Sequence, residues 1–196
     1  MTARTHDLAA FTALVIAFVH VPEVPSVSVP TLILAFGANF LGGLLPDIDQ
    51  PTSDFWDNFR LGPFVAKVVC PALGGHRHIS HSFLGIGAFA LLSHWLLEWV
   101  AQVVLLDLNP ELIWYAFMIG IGSHIIMDMP TKLGVPLLWP WKFKFGIPPF
   151  KSWRVVTGEF AEKYMFFPVL LFSSGYLLYT HQERVITFFR ALFGSS

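Results

Sequence analysis

With 196 residues, 55% of them hydrophobic and only 13% charged, the chain departs from the soluble average of about 45–50% apolar and about 25% charged. A mean hydropathy of +0.62, with 20 Phe and 7 Trp, points to a bilayer environment. A net charge of -1 argues against a nucleic-acid binder, which needs a basic surface, and a lone Cys70 excludes an internal disulfide.

The first apolar stretch runs from Leu8 to Val21. The preceding MTARTHD has a single Arg, and no small-x-small cleavage site comes before the Pro-rich run at 21–30, so this segment is expected to be a retained helix that keeps His6. Val29 to Leu45 follows, then Phe83 to Leu106, Leu112 to Met127 and Tyr164 to Tyr179. A helical span takes about 20 residues, with about 17–25 as the range. Only helices satisfy their backbone groups in lipid at this chain length. The expectation is one all-α membrane-embedded domain over 1–196, a polytopic bundle of 4–5 transmembrane helices. Between the last two spans, GVPLLWPWKFKFGIPPFKSWR alternates aromatics with Lys and reads as an irregular segment at headgroup level.

If all five stretches cross, ten of the twelve basic residues fall on one side: Arg4, Arg60, Lys67, Arg77, Lys132, Lys142, Lys144, Lys151, Arg154 and Lys163. That side is expected to be cytoplasmic, carrying the polar segments 46–81 and 129–163. His6, Asp47 with Asp49, His76 with His78 and His81, His124 with Asp128, and Glu162 all lie at span ends on the same side.

In PDID, an extended backbone would turn Asp47 and Asp49 to one side, where both carboxylates face one cation. GGHRHISHS packs three histidines into six residues, with Arg77 among them as a phosphate partner. In GSHIIMD, His124 and Asp128 are four apart and share a helix face. Ionisable residues inside a span default to a functional reading, whereas His20, His94 and His181 read as packing or interface residues and Cys70 as a buried small residue. The donor set suits zinc, with manganese or magnesium as alternatives. His6, Asp47, Asp49, His81, His124 and Asp128 are the expected metal ligands. They outnumber the three or four ligands one zinc takes, so two ions are expected. His76, Arg77 and Glu162 are the expected catalytic groups around a metal-activated water.

THDLAAF, LGGLLPDIDQPTS, GGHRHISHS, GSHIIMDMPTKLGVPLLWPW and TGEFAEKY, in this order, resemble the YdjM family of predicted inner-membrane, metal-dependent hydrolases. The resemblance implies a multi-pass protein of the inner membrane and functional roles for His6, Asp47, Asp49, Ser53, His76, Arg77, His81, Ser82, Ser123, His124, Asp128 and Glu162. The chain departs from the family pattern at Gln50 and His78. The expected activity is hydrolysis of a phosphoester of a membrane lipid or other amphiphilic substrate at the cytoplasmic face. The alternative is a non-enzymatic metal-binding membrane protein, a transporter or sensor.

Overall fold

A computed structural model describes residues 1–57, 60–72 and 77–194. Eight α-helices follow in chain order: α1 (Ala3–His20), α2 (Val29–Leu44), α3 (Asp54–Asp57), α4 (Gly62–Ala72), α5 (Phe83–Val103), α6 (Pro110–Asp128), α7 (Phe167–Thr180) and α8 (Gln182–Phe193). A 3-10 turn, Leu45–Asp49, extends α2, and a π-helical turn, Glu162–Phe166, leads into α7. Strands are absent among the described residues; two isolated bridges, Thr131 with Val155 and Val135 with Phe145, are the extended pairing.

Side chains set the starts of the long helices. The Ser28 hydroxyl accepts from Thr31 N–H and Ser82 from Gly85 N–H, and the Asn109 carbonyl accepts from Leu112 N–H. Each satisfies an amide donor that the first turn leaves unpaired. Among the described residues three segments are long and apolar enough to cross a membrane: Val29–Asp49, Phe83–Val103 and Pro110–Asp128. The sequence suggested 4–5. α1 has 18 residues, but Arg4, His6 and Asp7 occupy its first turns, and α7 has only 14.

α2 and α6 form the centre. A Cβ on Gly42 would lie 2.2 Å from the Phe117 carbonyl oxygen, and one on Gly120 would lie 2.1 Å from that of Asn39. Glycine at both positions lets the two backbones touch. The Asn39 amide adds a 3.0 Å hydrogen bond to the Ala116 carbonyl. α1 packs against α2, α6 and α7, while α5 packs on α6 and exposes Leu91, Leu92 and Trp95, the face a lipid-facing span presents. His94 sits edge-on to Trp114 at 5.5 Å, and Cys70 is buried with Trp56 and Ala66, so both keep the packing roles read from the sequence.

The segment after α6 folds back under the bundle. Val135 and Phe145 exchange backbone hydrogen bonds of 2.7 and 2.8 Å. The Arg154 guanidinium donates to the carbonyls of Gly146, Pro148 and Pro149. Val135 and Leu137 join Phe117, Ile121 and Ile125 in the core, whereas Trp141, Phe143, Ile147, Phe150 and Trp153 remain exposed on the outer side. At the other end of the bundle, Arg184 of α8 donates to the carbonyls of Phe18 and Val21 and closes the C-terminus of α1.

Candidate metal centre

Four helix ends meet in one place. His6 comes from the second turn of α1, Asp47 from the 3-10 extension of α2, His81 from the residue before the Ser82 cap of α5, and His124 with Asp128 from the last turns of α6. One donor atom from each of Asp47, His81, His124 and Asp128 lies within 4.8 Å of the others. His81 Nε2 is 3.3 Å from His124 Nε2. Asp128 Oδ2 is 3.5 Å from His81 Nε2 and 3.6 Å from His124 Nε2. Asp47 Oδ1 is 3.7 Å from both ring nitrogens. Bonds of about 2.0–2.2 Å around a tetrahedral zinc separate neighbouring donors by about 3.3–3.6 Å. The five separations just given, 3.3–3.7 Å, are close to those of one such site.

The ring tautomers agree with that geometry. His124 Nδ1 is 2.6 Å from the Gly43 carbonyl, which only accepts, so Nδ1 carries the proton and Nε2 presents its lone pair to the cluster. The Ser80 hydroxyl donates its one proton to Asp49 Oδ2 and therefore accepts from His81 Nδ1 at 2.9 Å. His81 Nε2 is thereby also left facing inward. Burial alone would lower the pKa of His81, but the Asp128 and Asp49 carboxylates outweigh it and raise it. The same carboxylates would favour a divalent cation between them.

Asp49 does not face the cluster beside Asp47. The extended backbone expected for PDID is instead a 3-10 helix, Leu45–Asp49, with three residues per turn. Residues two apart then diverge: Asp47 reaches the cluster, and Asp49 sits fully buried behind His81, its Oδ2 3.4 Å from Nδ1. His6 stacks on His124, and its Nε2 lies 3.4 Å from Asp128 Oδ1. Neither His6 ring nitrogen has a hydrogen bond of good geometry. The Met1 amino group is 2.7 Å from the same Asp128 oxygen.

Arg77 is buried with φ at +57°. Its guanidinium meets Asp128 Oδ2 at 2.7 Å, Thr131 Oγ1 at 2.6 Å and the Gly134 carbonyl at 3.2 Å. Glu162 stands apart from the four-residue cluster. Its Oε1 accepts from Thr2 N–H, Thr2 Oγ1 and Thr5 Oγ1 at 2.6–2.7 Å, and its Oε2 from Gly158 N–H at 2.7 Å. Burial alone would raise its pKa, but these donors outweigh it and hold the carboxylate at about 2. His76 lies outside the described residues. A cavity of about 880 Å³ opens beside the centre, with Asp47, Arg77, Ser53 and Glu162 in its walls. The Asp47 side chain is 19% exposed, while His81, His124 and Asp128 are at 0%. Asp47 is thus the cluster's contact with the cavity. Ser80 and the Gly43 carbonyl were not singled out from the sequence; Ser80 could have been found as the hydroxyl next to His81, but a backbone acceptor leaves no residue-level signal.

The family model described as YdjM inner membrane protein matches residues 1–190. Inner membrane protein YdjM of Escherichia coli (strain K12) is 36% identical over 109 residues, which cover 54% of this chain and 48% of that protein. Its counterpart in Shigella flexneri matches with the same figures, so the chain spans about half the length of these relatives. The uncharacterized protein YvsG of Bacillus subtilis (strain 168) is 31% identical over 156 residues, 80% of this chain and 84% of that protein. No solved structure matches. With these relatives, three helices of membrane-crossing length and a buried Asp/His group able to hold a metal ion, the chain belongs to the YdjM family as a multi-pass inner membrane protein.

Proposed function

We propose that this protein is a metal-dependent hydrolase acting on a phosphoester of a lipid or other amphiphile at the cytoplasmic face of the membrane. One observation carries the reading: two imidazole and two carboxylate donors gathered within 4.8 Å of one another that meet an 880 Å³ cavity at Asp47. Four protein donors fill a tetrahedral zinc, so water or substrate would enter as a fifth ligand from the Asp47 side, where the cluster meets the cavity. A bound zinc, manganese or magnesium ion would activate water and polarise the ester oxygen. His81 and His124 would present Nε2 to it, with their tautomers fixed by Ser80 and by the Gly43 carbonyl. Asp47 and Asp128 would supply the carboxylates, and Asp49 would orient His81 through Ser80.

Arg77 would add positive charge at the cavity wall while its guanidinium stays engaged by Asp128, Thr131 and Gly134. Glu162, engaged by four donors, would hold the start of α1 against the cavity. A second ion would have to use His6 Nε2 and Asp128 Oδ1, 3.4 Å apart, and displace the Met1 amino group from that oxygen. Stoichiometry distinguishes one ion from two. The cytoplasmic placement rests on the Lys/Arg asymmetry.

The complete burial of His81, His124 and Asp128 also suits a sensor that holds metal without turnover. Elemental analysis of the detergent-purified protein, paired with a phosphoester hydrolysis panel, separates the two. Metal together with turnover, both lost in His124→Ala, supports the hydrolase. Metal with no turnover of any ester supports the sensor. No metal after supplementation with zinc, manganese and magnesium sinks both.

A further inference from the structure

The cavity beside the metal centre has a feature the hydrolase reading does not use. Arg4 follows Ala3 in the first turn of α1, and Lys163 follows Glu162 in the π-helical turn, and both line the cavity. The hydrogen bond from Thr5 Oγ1 to Glu162 Oε1, 2.6 Å long and buried, ties together the segments that carry them. Two exposed cations thus line one cavity, each next in sequence to a partner of the buried Thr5–Glu162 bond. Neither has an ion-pair partner among the described residues. Arg4, Arg77 and Lys163 outnumber the Asp47 and Glu162 carboxylates in the lining, and the two exposed cations favour an anionic occupant on their side of the cavity.

Two further observations point into the same space. The Ser53 hydroxyl is 7% exposed, lines the cavity and has no hydrogen-bond partner among the described residues. Leu133 and Phe167 supply an apolar wall, Phe167 being the first residue of α7. The lining therefore combines cationic and hydroxyl groups with apolar side chains.

We infer that the cavity binds an amphiphile with an anionic phosphate headgroup on an acyl-type chain. Arg4 and Lys163 select the headgroup charge, Ser53 donates to it, and the chain lies along Leu133 and Phe167. This deepens the hydrolase proposal and rests on the same cavity, but it is a statement about binding. Arg4 and Lys163 are specificity-determining residues and are not among the metal donors.

The test uses the full chain, purified in a non-ionic detergent and loaded with zinc. Calorimetric titration with dihexanoyl phosphatidic acid is compared with dihexanoyl phosphatidylcholine and with glycerol 3-phosphate. The acidic lipid is expected to bind at least about tenfold more tightly than either, the size of one well-placed charged contact. The Arg4→Gln, Lys163→Gln variant is expected to remove that preference with metal content unchanged. The charge-conserving Arg4→Lys, Lys163→Arg variant keeps it and controls for folding. Equal binding of the two lipids, equal binding of glycerol 3-phosphate, or a preference untouched in the Gln variant would overturn the inference. If the acidic lipid binds as expected and no ester is cleaved, this inference stands and the hydrolase reading falls. If p-nitrophenyl phosphate is cleaved and the lipids bind alike, the reverse holds.

Discussion

His6 and His124 stack with ring centroids 3.8 Å apart and planes 11° from parallel, although 117 positions separate them and they belong to different helices. The stack confines the His124 ring in the plane where Nδ1 meets the Gly43 carbonyl and Nε2 faces the other donors. His6 has two separable roles here, as a flat neighbour and as a nitrogen donor beside Asp128 Oδ1. His6→Phe keeps the ring and removes the nitrogens. If His6 only packs, Phe retains one equivalent of metal while His6→Ala weakens binding. Loss of an equivalent in both variants would make His6 a ligand. Metal content per chain is the readout.

Ser80 and Asp49 orient His81 without reaching the cluster themselves. Partners of this kind typically change metal affinity by about 10–100-fold when removed. Ser80→Ala and Asp49→Asn should each weaken zinc binding by about that factor while His124→Ala abolishes it. Competition titrations against a chromophoric chelator would measure this, and wild-type affinity in Ser80→Ala would refute the relay.

Gly120 sits where a Cβ would lie 2.1 Å from the Asn39 carbonyl oxygen, whereas nothing lies within 4 Å of the corresponding position at Gly87. Gly120→Ala should destabilise the bundle by about 1–3 kcal/mol, the usual range for overpacking. Gly87→Ala should be neutral or slightly stabilising, because Ala is the better helix former. Thermal unfolding in one detergent compares them; equal midpoints would mean that the α2–α6 contact is looser than described.

Glu162 is held at about 2, below its ordinary 4.5, because donors from Gly158, Thr2 and Thr5 outweigh the effect of burial. A carboxylate whose folded pKa is depressed contributes stability that is complete above the unfolded pKa. That contribution is lost as pH falls through the folded one. The protein should therefore lose stability between about pH 4.5 and about pH 2, and Glu162→Gln should flatten that limb while lowering stability at neutral pH. Unfolding midpoints across this range give the answer; an unchanged slope in the variant would assign the acid sensitivity elsewhere.

Arg154 collects three carbonyls, from Gly146, Pro148 and Pro149, and holds the loop beneath the bundle. Arg154→Ala leaves those acceptors unpaired and should speed proteolysis between residues 139 and 153 without altering the helical circular dichroism. Unchanged cleavage kinetics would show that the Val135–Phe145 pairing alone is sufficient.

The helical bundle and the common end of its polar groups were legible because apolar runs, caps and the placement of His and Asp at their ends are local features. His124 and Asp128 were readable from a spacing of four on a helix. Asp47 and Asp49 were misjudged as a pair. The rotation between them depends on whether Pro46 leads into extended chain or a 3-10 turn, and PDID is compatible with both. The Gly43 carbonyl had no residue-level signature, being a backbone atom whose role depends on how closely α2 approaches α6. Glu162 was legible as a polar group at the start of the last apolar segment. Its engagement with Thr2 and Thr5 spans about 160 residues and needs three dimensions to be seen.

Because the donors come from helix ends far apart in the sequence, the centre is also a record of biogenesis. A chain leaving the ribosome lacks Asp128 until α6 has been made, and lacks the Glu162 latch until the following loop is complete. Each intervening helix must also lie in its proper direction, or one donor would be stranded on the wrong face. A half-inserted or inverted chain would therefore carry no assembled site, and metal loading would certify that topogenesis had run to completion.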